Sequence, residues 1–209
     1  LPAPSSGGQQ TKVTNSEITN RNFDVTNKAD DGSHVNSGIQ AKGATITNAK
    51  LDNVNQDVEN TAQKGSKINS GIEANRATIT DSTITNNLTG KIRNTAIDNS
   101  KVNAGVSAND AIIQDKSEIS NTGTDVTNIA VKNSKINSGI MLDGATVKTS
   151  KLTNVNNKVI NIASEGSKIN SGIEAEKANI TNSTINNDNQ NVTNIAEKGS
   201  TINSGVRIN

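Results

Sequence analysis

The chain lacks cysteine, tryptophan and tyrosine, and its 209 residues include one phenylalanine, one histidine and two prolines. Without cysteine, neither a disulfide nor a cysteine nucleophile is available. With a single aromatic residue, a conventional core of large rings is excluded, and so is a surface on which nucleobases stack. Any core must therefore be narrow and built from small aliphatic side chains.

Long apolar runs and an excess of one charge are also absent. No stretch approaches the ~18 apolar residues that a membrane helix needs. The 21 basic and 20 acidic residues leave a net charge of +1, so no basic face recruits nucleic acid by counterion release. The sequence thus predicts no membrane insertion and no nucleic-acid partner. Low hydrophobicity is also typical of disorder, but the regular placement of Ile and Val argues against it.

Asparagine is abundant, with 35 copies, and it recurs in a tandem repeat. The hexapeptide KINSGI occurs at positions 67, 135 and 168, and near copies start at 34, 101 and 201. Successive starts are 33 or 34 residues apart, a period that indicates a repeat architecture. Ankyrin and tetratricopeptide repeats have this length, but their helical periodicity is missing here.

Alternating residues indicate strands in both halves of each repeat. Ile68, Ser70, Ile72 and Ala74 alternate with polar residues, and a second signature, [VI]-x-N-x-A, starts at 25, 58, 92, 126, 159 and 192. We predict an all-β fold: a β-solenoid of six tandem repeats of 33–34 residues with parallel, in-register stacking. Two coils per repeat, of 16 and 17 or 18 residues, would give a rod of roughly 57 Å. One broad coil per repeat is the alternative and would halve that length.

In-register stacking places equivalent asparagines above one another, where their amides can form hydrogen-bonded ladders. One predicted structural ladder comprises Asn36, Asn69, Asn103, Asn137, Asn170 and Asn203. A second comprises Asn27, Asn60, Asn94, Asn128, Asn161 and Asn194. The glycines of the hexapeptide mark a bend or a place where no side chain fits; they are Gly38, Gly71, Gly105, Gly139, Gly172 and Gly205.

No motif for catalysis, cofactor binding or metal binding is found, so we predict no enzyme activity, no cofactor and no metal. His34 occupies the lysine position of other repeats and is interpreted as a solvated corner. The tripeptide TIT at 45, 78 and 83 raises an alternative, because Thr-x-Thr ladders on β-solenoids bind ice. Equivalent positions at 112, 146 and 179 break that column. An ice-binding or adhesin-stalk protein, acting as a monomeric rod, remains the second hypothesis.

The two ends of the sequence predict self-assembly. The chain starts with LPAPSSGG, which is typical of a processed, secreted protein. Residues 1–9 are expected to be a tail or a junction clamp, and residues 10–209 a single solenoid that begins and ends within a coil. Nine residues of the last coil and seven of the first complement each other, which predicts head-to-tail polymerisation. The predicted junction residues are Gln10, Val13, Ser16, Ile202, Val206, Ile208 and Asn209.

These features together resemble the secreted repeat subunits of bacterial functional amyloids such as curli and Fap fibres. The resemblance extends over Gln10 to Asn209 and lies in the Asn-rich, almost aromatic-free, tandemly repeated sequence. The Ser…Gln…Gly…Asn…Gln pattern of curli and the C-terminal Cys pair of Fap subunits are missing. The resemblance implies an extracellular fibre for biofilm matrix or surface attachment, whose main partner is the protein itself, with an unidentified nucleator or secretion machinery.

Overall fold

The structure, a computed structural model, describes residues 10–209, so the predicted tail at Leu1–Gln9 lies outside the described residues. All regular structure in 10–209 is β, arranged as four parallel sheets of six strands each. The prediction of a parallel β-solenoid is confirmed. No helix in these residues is long and apolar enough to cross a membrane.

Four sheets, named A to D, form the walls of the solenoid. Sheet A contains β1 (Lys12–Thr14), β5 (Thr45–Thr47), β9 (Thr78–Thr80), β13 (Ile112–Gln114), β17 (Thr146–Lys148) and β21 (Asn179–Thr181). Sheet B contains the long strands β2 (Glu17–Ala29), β6 (Lys50–Gln63), β10 (Thr83–Ile97), β14 (Glu118–Val131), β18 (Lys151–Ser164) and β22 (Thr184–Ala196). Sheet C contains β3 (His34–Asn36), β7 (Lys67–Asn69), β11 (Lys101–Asn103), β15 (Lys135–Asn137), β19 (Lys168–Asn170) and β23 (Thr201–Asn203). Sheet D contains β4 (Ile39–Gln40), β8 (Ile72–Glu73), β12 (Val106–Ser107), β16 (Ile140–Met141), β20 (Ile173–Ala175) and β24 (Val206–Ile208).

Each turn takes one strand from every sheet in the order A, B, C, D, so turn 1 is β1–β4 and turn 6 is β21–β24. Ile68 pairs with Val35 below it and Val102 above it, one full repeat away in each direction. Ile84 pairs with Ile119, and not with Ile68. The prediction of two coils per repeat is therefore wrong, and the one-coil alternative is right.

The physical reason is that the two halves of a repeat face each other across the interior. Asn53 of sheet B donates its amide to the carbonyl of Ser70, 2.8 Å away, at the corner between sheets C and D. The two halves carry different inward residues. Equivalent residues therefore stack on each other only after a full repeat. Six turns at the ~4.8 Å strand spacing put the first and last strands of a sheet ~24 Å apart, well below the predicted rod length.

Left-handed backbone positions make the corners and bend each long strand of sheet B. The bend falls at one positive-φ residue per turn: Asp24, Asp57, Gly90, Asp125, Lys158 and Asn191. In β10 the register shifts between Leu88 and Ile92, where the strand has one residue more than its neighbours. This bulge is where the second repeat gains its 34th residue.

The core is a set of thin aliphatic columns, as the composition requires. Ile84 and Ile140 in middle turns are fully buried, packed between identical or similar residues of adjacent turns. At the ends of the solenoid the exposure is uneven: Ile18 in turn 1 is 38% and Val206 in turn 6 is 46% exposed, whereas Ile39 in turn 1 stays buried at 7%. Within residues 10–209, each end turn therefore leaves part of the core accessible.

Candidate functional site

The first predicted ladder is present and lies at the concave corner between sheets C and D. Asn69 donates its amide to the Oδ1 of Asn36 at 2.8 Å, and the pattern repeats at 2.8–2.9 Å up to Asn203. Each of these amides also reaches backbone carbonyls at the corner, for example the Gly71 carbonyl at 3.3 Å from Asn69. Every bond in this ladder donates from the later turn to the earlier one.

The second predicted ladder is also present and points into the interior from sheet B. Asn27 donates to Asn60 at 2.8 Å, and the chain of bonds continues to Asn194. The same amides donate to the serine hydroxyl of the hexapeptide, as Asn60 does to Ser70 Oγ at 2.8 Å. These bonds run from the earlier turn to the later one, opposite to the first ladder.

A third complete ladder was missed by the sequence reasoning. It consists of Asn20, Asn53, Asn86, Asn121, Asn154 and Asn187, joined at 2.7–2.8 Å. A fourth column is partial, with bonds from Asn22 to Asn55 and from Asn156 to Asn189. Both columns donate to the carbonyl that precedes the hexapeptide glycine. The available signal was an asparagine two residues after the first aliphatic residue of each sheet B strand.

The hexapeptide glycine recurs because no side chain fits at its position. This is the second of the two explanations that the sequence offered. A Cβ added to Gly71 would lie 2.1 Å from the carbonyl oxygen of Gly105 in the next turn. A Cβ added to Gly38, Gly105, Gly139 or Gly172 would lie 2.0–2.1 Å from the carbonyl oxygen of the equivalent glycine in the next turn. A Cβ added to Gly205 in the last turn would have no atom of the described residues within 4 Å. The added atom would point along the solenoid axis towards a following turn.

The two ends of the solenoid are chemically complementary. We call the open edge of turn 1 the first face and the open edge of turn 6 the last face. Among residues 10–209, no donor reaches the Oδ1 of Asn20 or Asn27 on the first face. On the last face, Asn187 and Asn194 each donate one N–H group to Ser204. The second N–H group of each amide has no acceptor among residues 10–209. The first face thus offers acceptors where the last face offers donors.

The corner ladder has the reverse polarity and complements itself in the same arrangement. In the described chain, no acceptor meets the amide nitrogen of Asn36, and no donor meets the Oδ1 of Asn203. A last face set on a first face would therefore join all three complete ladders with the correct donors and acceptors. Two like faces would instead set donors against donors or acceptors against acceptors.

The predicted junction residues lie on these two edge turns. On the first face, Gln10 and Ser16 are exposed and Val13 pairs with Ile46 of the next turn. On the last face, Ile202 pairs with Ile169, Val206 with Ile173 and Ile208 with Ala175. The carbonyl of Asn209 accepts a bond from the amide of Lys177 at 2.8 Å. The structure does not bring the two groups together within one chain, because they lie at opposite ends.

A charged groove of about 460 Å³ follows the concave corner along the axis. One wall is the column Lys67, Lys101, Lys135 and Lys168, which makes no ion pair within the described residues. Burial, followed by the charges of Lys135 and Lys67, lowers the pKa of Lys101. On the other wall, burial first and then the hydrogen bond and charge of Asp143 raise the pKa of Glu174 to about 7. No group of three or more possible metal ligands is found in 10–209.

The threonine column considered for ice binding lies partly on the outer face of sheet A. Thr45 and Thr47 stack on Thr78 and Thr80, but Ile112 and Gln114 follow in the next turn. TIT at 83 starts a strand of sheet B instead, so it belongs to a different face. Residues 10–209 therefore provide no continuous threonine surface.

Comparisons with protein-family models and with curated protein sequences find no match for this chain.

Proposed function

We propose that the chain is a structural subunit of an extracellular filament in which the last face of one copy stacks on the first face of the next. The observation that carries the proposal is the donor and acceptor complementarity of the two faces across the three complete asparagine ladders. A heterologous contact of this kind does not close on itself, and so it generates an open filament.

Strand edges and apolar columns support the same contact. The edge strands β2 and β22 are 13 residues long, and an open edge of that length pairs readily with another strand. Stacking would continue sheet B across the junction and cover Ile18 and Val206, whose equivalents in middle turns are fully buried. Both the hydrogen bonds and the apolar burial inside the solenoid would therefore be repeated at the junction.

Gly205→Ala tests the contact without disturbing the subunit. Among residues 10–209, its Cβ would have no atom within 4 Å. At a junction it would face the carbonyl of Gly38 as Gly71 faces that of Gly105, where a Cβ would approach to 2.1 Å. We expect the wild-type chain to form thin filaments in electron micrographs with a ~4.8 Å layer line. Gly205→Ala should remain a folded monomer by light scattering and circular dichroism.

Thr193→Ala is the matched control, because Thr193 is exposed on β22 of the same last turn and lies outside the inward columns. This variant should assemble like the wild type. Filaments of Gly205→Ala at wild-type concentration would refute the stacked junction. A wild-type chain that stays monomeric would refute the filament and favour the monomeric ice-binding or adhesin-stalk rod.

The location and use of the filament remain predictions from sequence alone. The resemblance to functional amyloids supports secretion and a role in biofilm matrix or attachment. Detection of the protein outside cells, by immunogold labelling of intact cells of the source organism, would test them.

A further inference from the structure

We infer that a charge pair between Asp188 on the last face and Arg21 on the first face of the next copy selects the partner and its register. This inference rests on the proposed end-to-end stacking. It identifies two residues whose role lies in the junction and not in the fold of one chain.

The column that contains both residues carries charge only at its ends. It runs on the outer side of sheet B through Arg21, Val54, Asn87, Thr122, Val155 and Asp188. The four internal members are neutral, and both end members are exposed. Neither Arg21 nor Asp188 has an ion-pair partner within the described residues. In a stack, the register of the ladders would set Asp188 directly below Arg21 of the next copy.

Opposite charges one turn apart in a column do pair in this molecule. Lys158 lies 3.9 Å from Asp125, and the two occupy the same bend position in adjacent turns of sheet B. Asp31 and Lys64 pair in the same way at 4.0 Å at the corner between sheets B and C. The spacing of adjacent turns is therefore suitable for a pair between Asp188 and Arg21.

Two other columns also place charges opposite each other across the junction. One contact is attractive and the other is repulsive. Lys198 pairs with Glu165 at 3.9 Å and would face Asp31 of the next copy, which continues the alternation of sign. At the neighbouring position Glu197 would face Asp30, which is a like-charged contact. The column of Arg21 and Asp188 contains no like-charged contact, so this pair is the one that selects the partner.

Two complementary charge reversals give a sharp test. Asp188→Arg sets arginine against arginine at every junction, and Arg21→Asp sets aspartate against aspartate. Each variant alone should raise the critical concentration for filament assembly roughly tenfold at low salt, because an attractive contact becomes repulsive. Mixed in equal amounts they should assemble near the wild-type concentration as alternating copolymers, since both kinds of mixed junction are then complementary.

Controls separate this pair from general charge effects and from the filament itself. Asp52→Arg makes the same change of net charge on the outer face of β6 in turn 2, and should assemble like the wild type. High salt screens the charges, so it should reduce the difference in critical concentration between each single variant and the wild type. Unaltered assembly of both single variants, with wild-type filaments present, would overturn the charge pair and leave the stacking intact. Failure of the mixture to recover would also overturn it, whereas an unassembled wild type would overturn the stacking.

Discussion

Substitution of a glycine in the middle of the solenoid should be among the most destabilising changes available to this chain. An alanine Cβ at position 71 would lie 2.1 Å from the carbonyl oxygen of Gly105. Ordinary contact begins near 3.4 Å, so turns 2 and 3 must separate locally by about 1.3 Å. The clash is with backbone, which no rotamer change relieves.

That separation breaks the hydrogen bonds which join the turns at this corner. The amides of Ser70, Gly71 and Ile72 donate to carbonyls of turn 3 at 2.9, 3.1 and 2.9 Å. An added 1.3 Å would stretch all three to roughly 4.2 Å or more, beyond hydrogen-bonding distance. Three buried bonds at about 1 kcal/mol each, together with orphaned donors, give a loss of about 3–6 kcal/mol. This is a large fraction of the 5–15 kcal/mol that is typical of a folded domain.

Thermal unfolding followed by circular dichroism measures the loss, with the comparison made in a Gly205→Ala background so that assembly does not contribute. Gly71→Ala should lower the Tm by about 10 °C or more for a chain of this length. Gly205→Ala alone makes the same chemical change at the same motif position without the clash. Equal Tm values for the two chains would refute the claim that close approach of the turns, and not glycine flexibility, fixes this residue.

Three further predictions concern single side chains. Asn60→Ala removes bonds from Asn27, to Asn94 and to Ser70, and should lower the free energy of unfolding by about 3 kcal/mol in a urea titration. Thr149→Asn should raise the Tm by a few degrees, worth about 1 kcal/mol, because a β-branched residue is strained at φ 49° where asparagine is favoured. Glu174 has its pKa raised to about 7 from 4.5, so its contribution to stability is greatest below pH 4.5 and is lost as the pH rises to 7. Glu174→Gln should therefore match the wild type at pH 4 and exceed it by about 1 kcal/mol at pH 8, allowing for solvent screening.

Each of these three results can contradict its reasoning. A free energy of unfolding equal to that of the wild type for Asn60→Ala would mean that the ladder hydrogen bonds are no stronger than the hydrogen bonds that the same amides make to water in the unfolded chain. An unchanged or lower Tm for Thr149→Asn would mean that the corner tolerates threonine without strain. A Glu174→Gln effect that does not change with pH would show that Asp143 and burial do not perturb the carboxyl.

The sequence predicted the repeat, the strands and two ladders because each depends only on identity at a fixed period. An asparagine that recurs every 33 or 34 residues must lie above its copies if the strands are parallel and in register. Asn20 and its equivalents meet the same condition but lie outside both the hexapeptide and the [VI]-x-N-x-A signature, on which the prediction of ladders depended. The ladder signal was thus complete in the sequence.

The number of turns could not be obtained in this way. Both halves of a repeat alternate polar and apolar residues, so each by itself is compatible with one coil. What distinguishes them is a contact across the interior, from Asn53 to the Ser70 carbonyl, between residues 17 positions apart. The groove and the raised pKa of Glu174 likewise depend on how outward side chains converge at a concave corner, which periodicity does not reveal.

Folding and assembly would use the same kinds of contact in this chain. Few substitutions can therefore impair assembly without also destabilising the subunit. A change in an internal column, such as Asn60 or Gly71, alters the subunit before it alters a junction. Only a change whose atoms point along the axis from an end turn can alter a junction without altering the subunit. Gly205 is the clearest case, since a Cβ there would have no described residue within 4 Å. Arg21 and Asp188 are the charged counterparts, because the four members between them are neutral and make no ion pair. A variant carrying Gly205→Ala should therefore fold normally and still terminate filaments by binding, through its intact first face, to the last face of a wild-type copy.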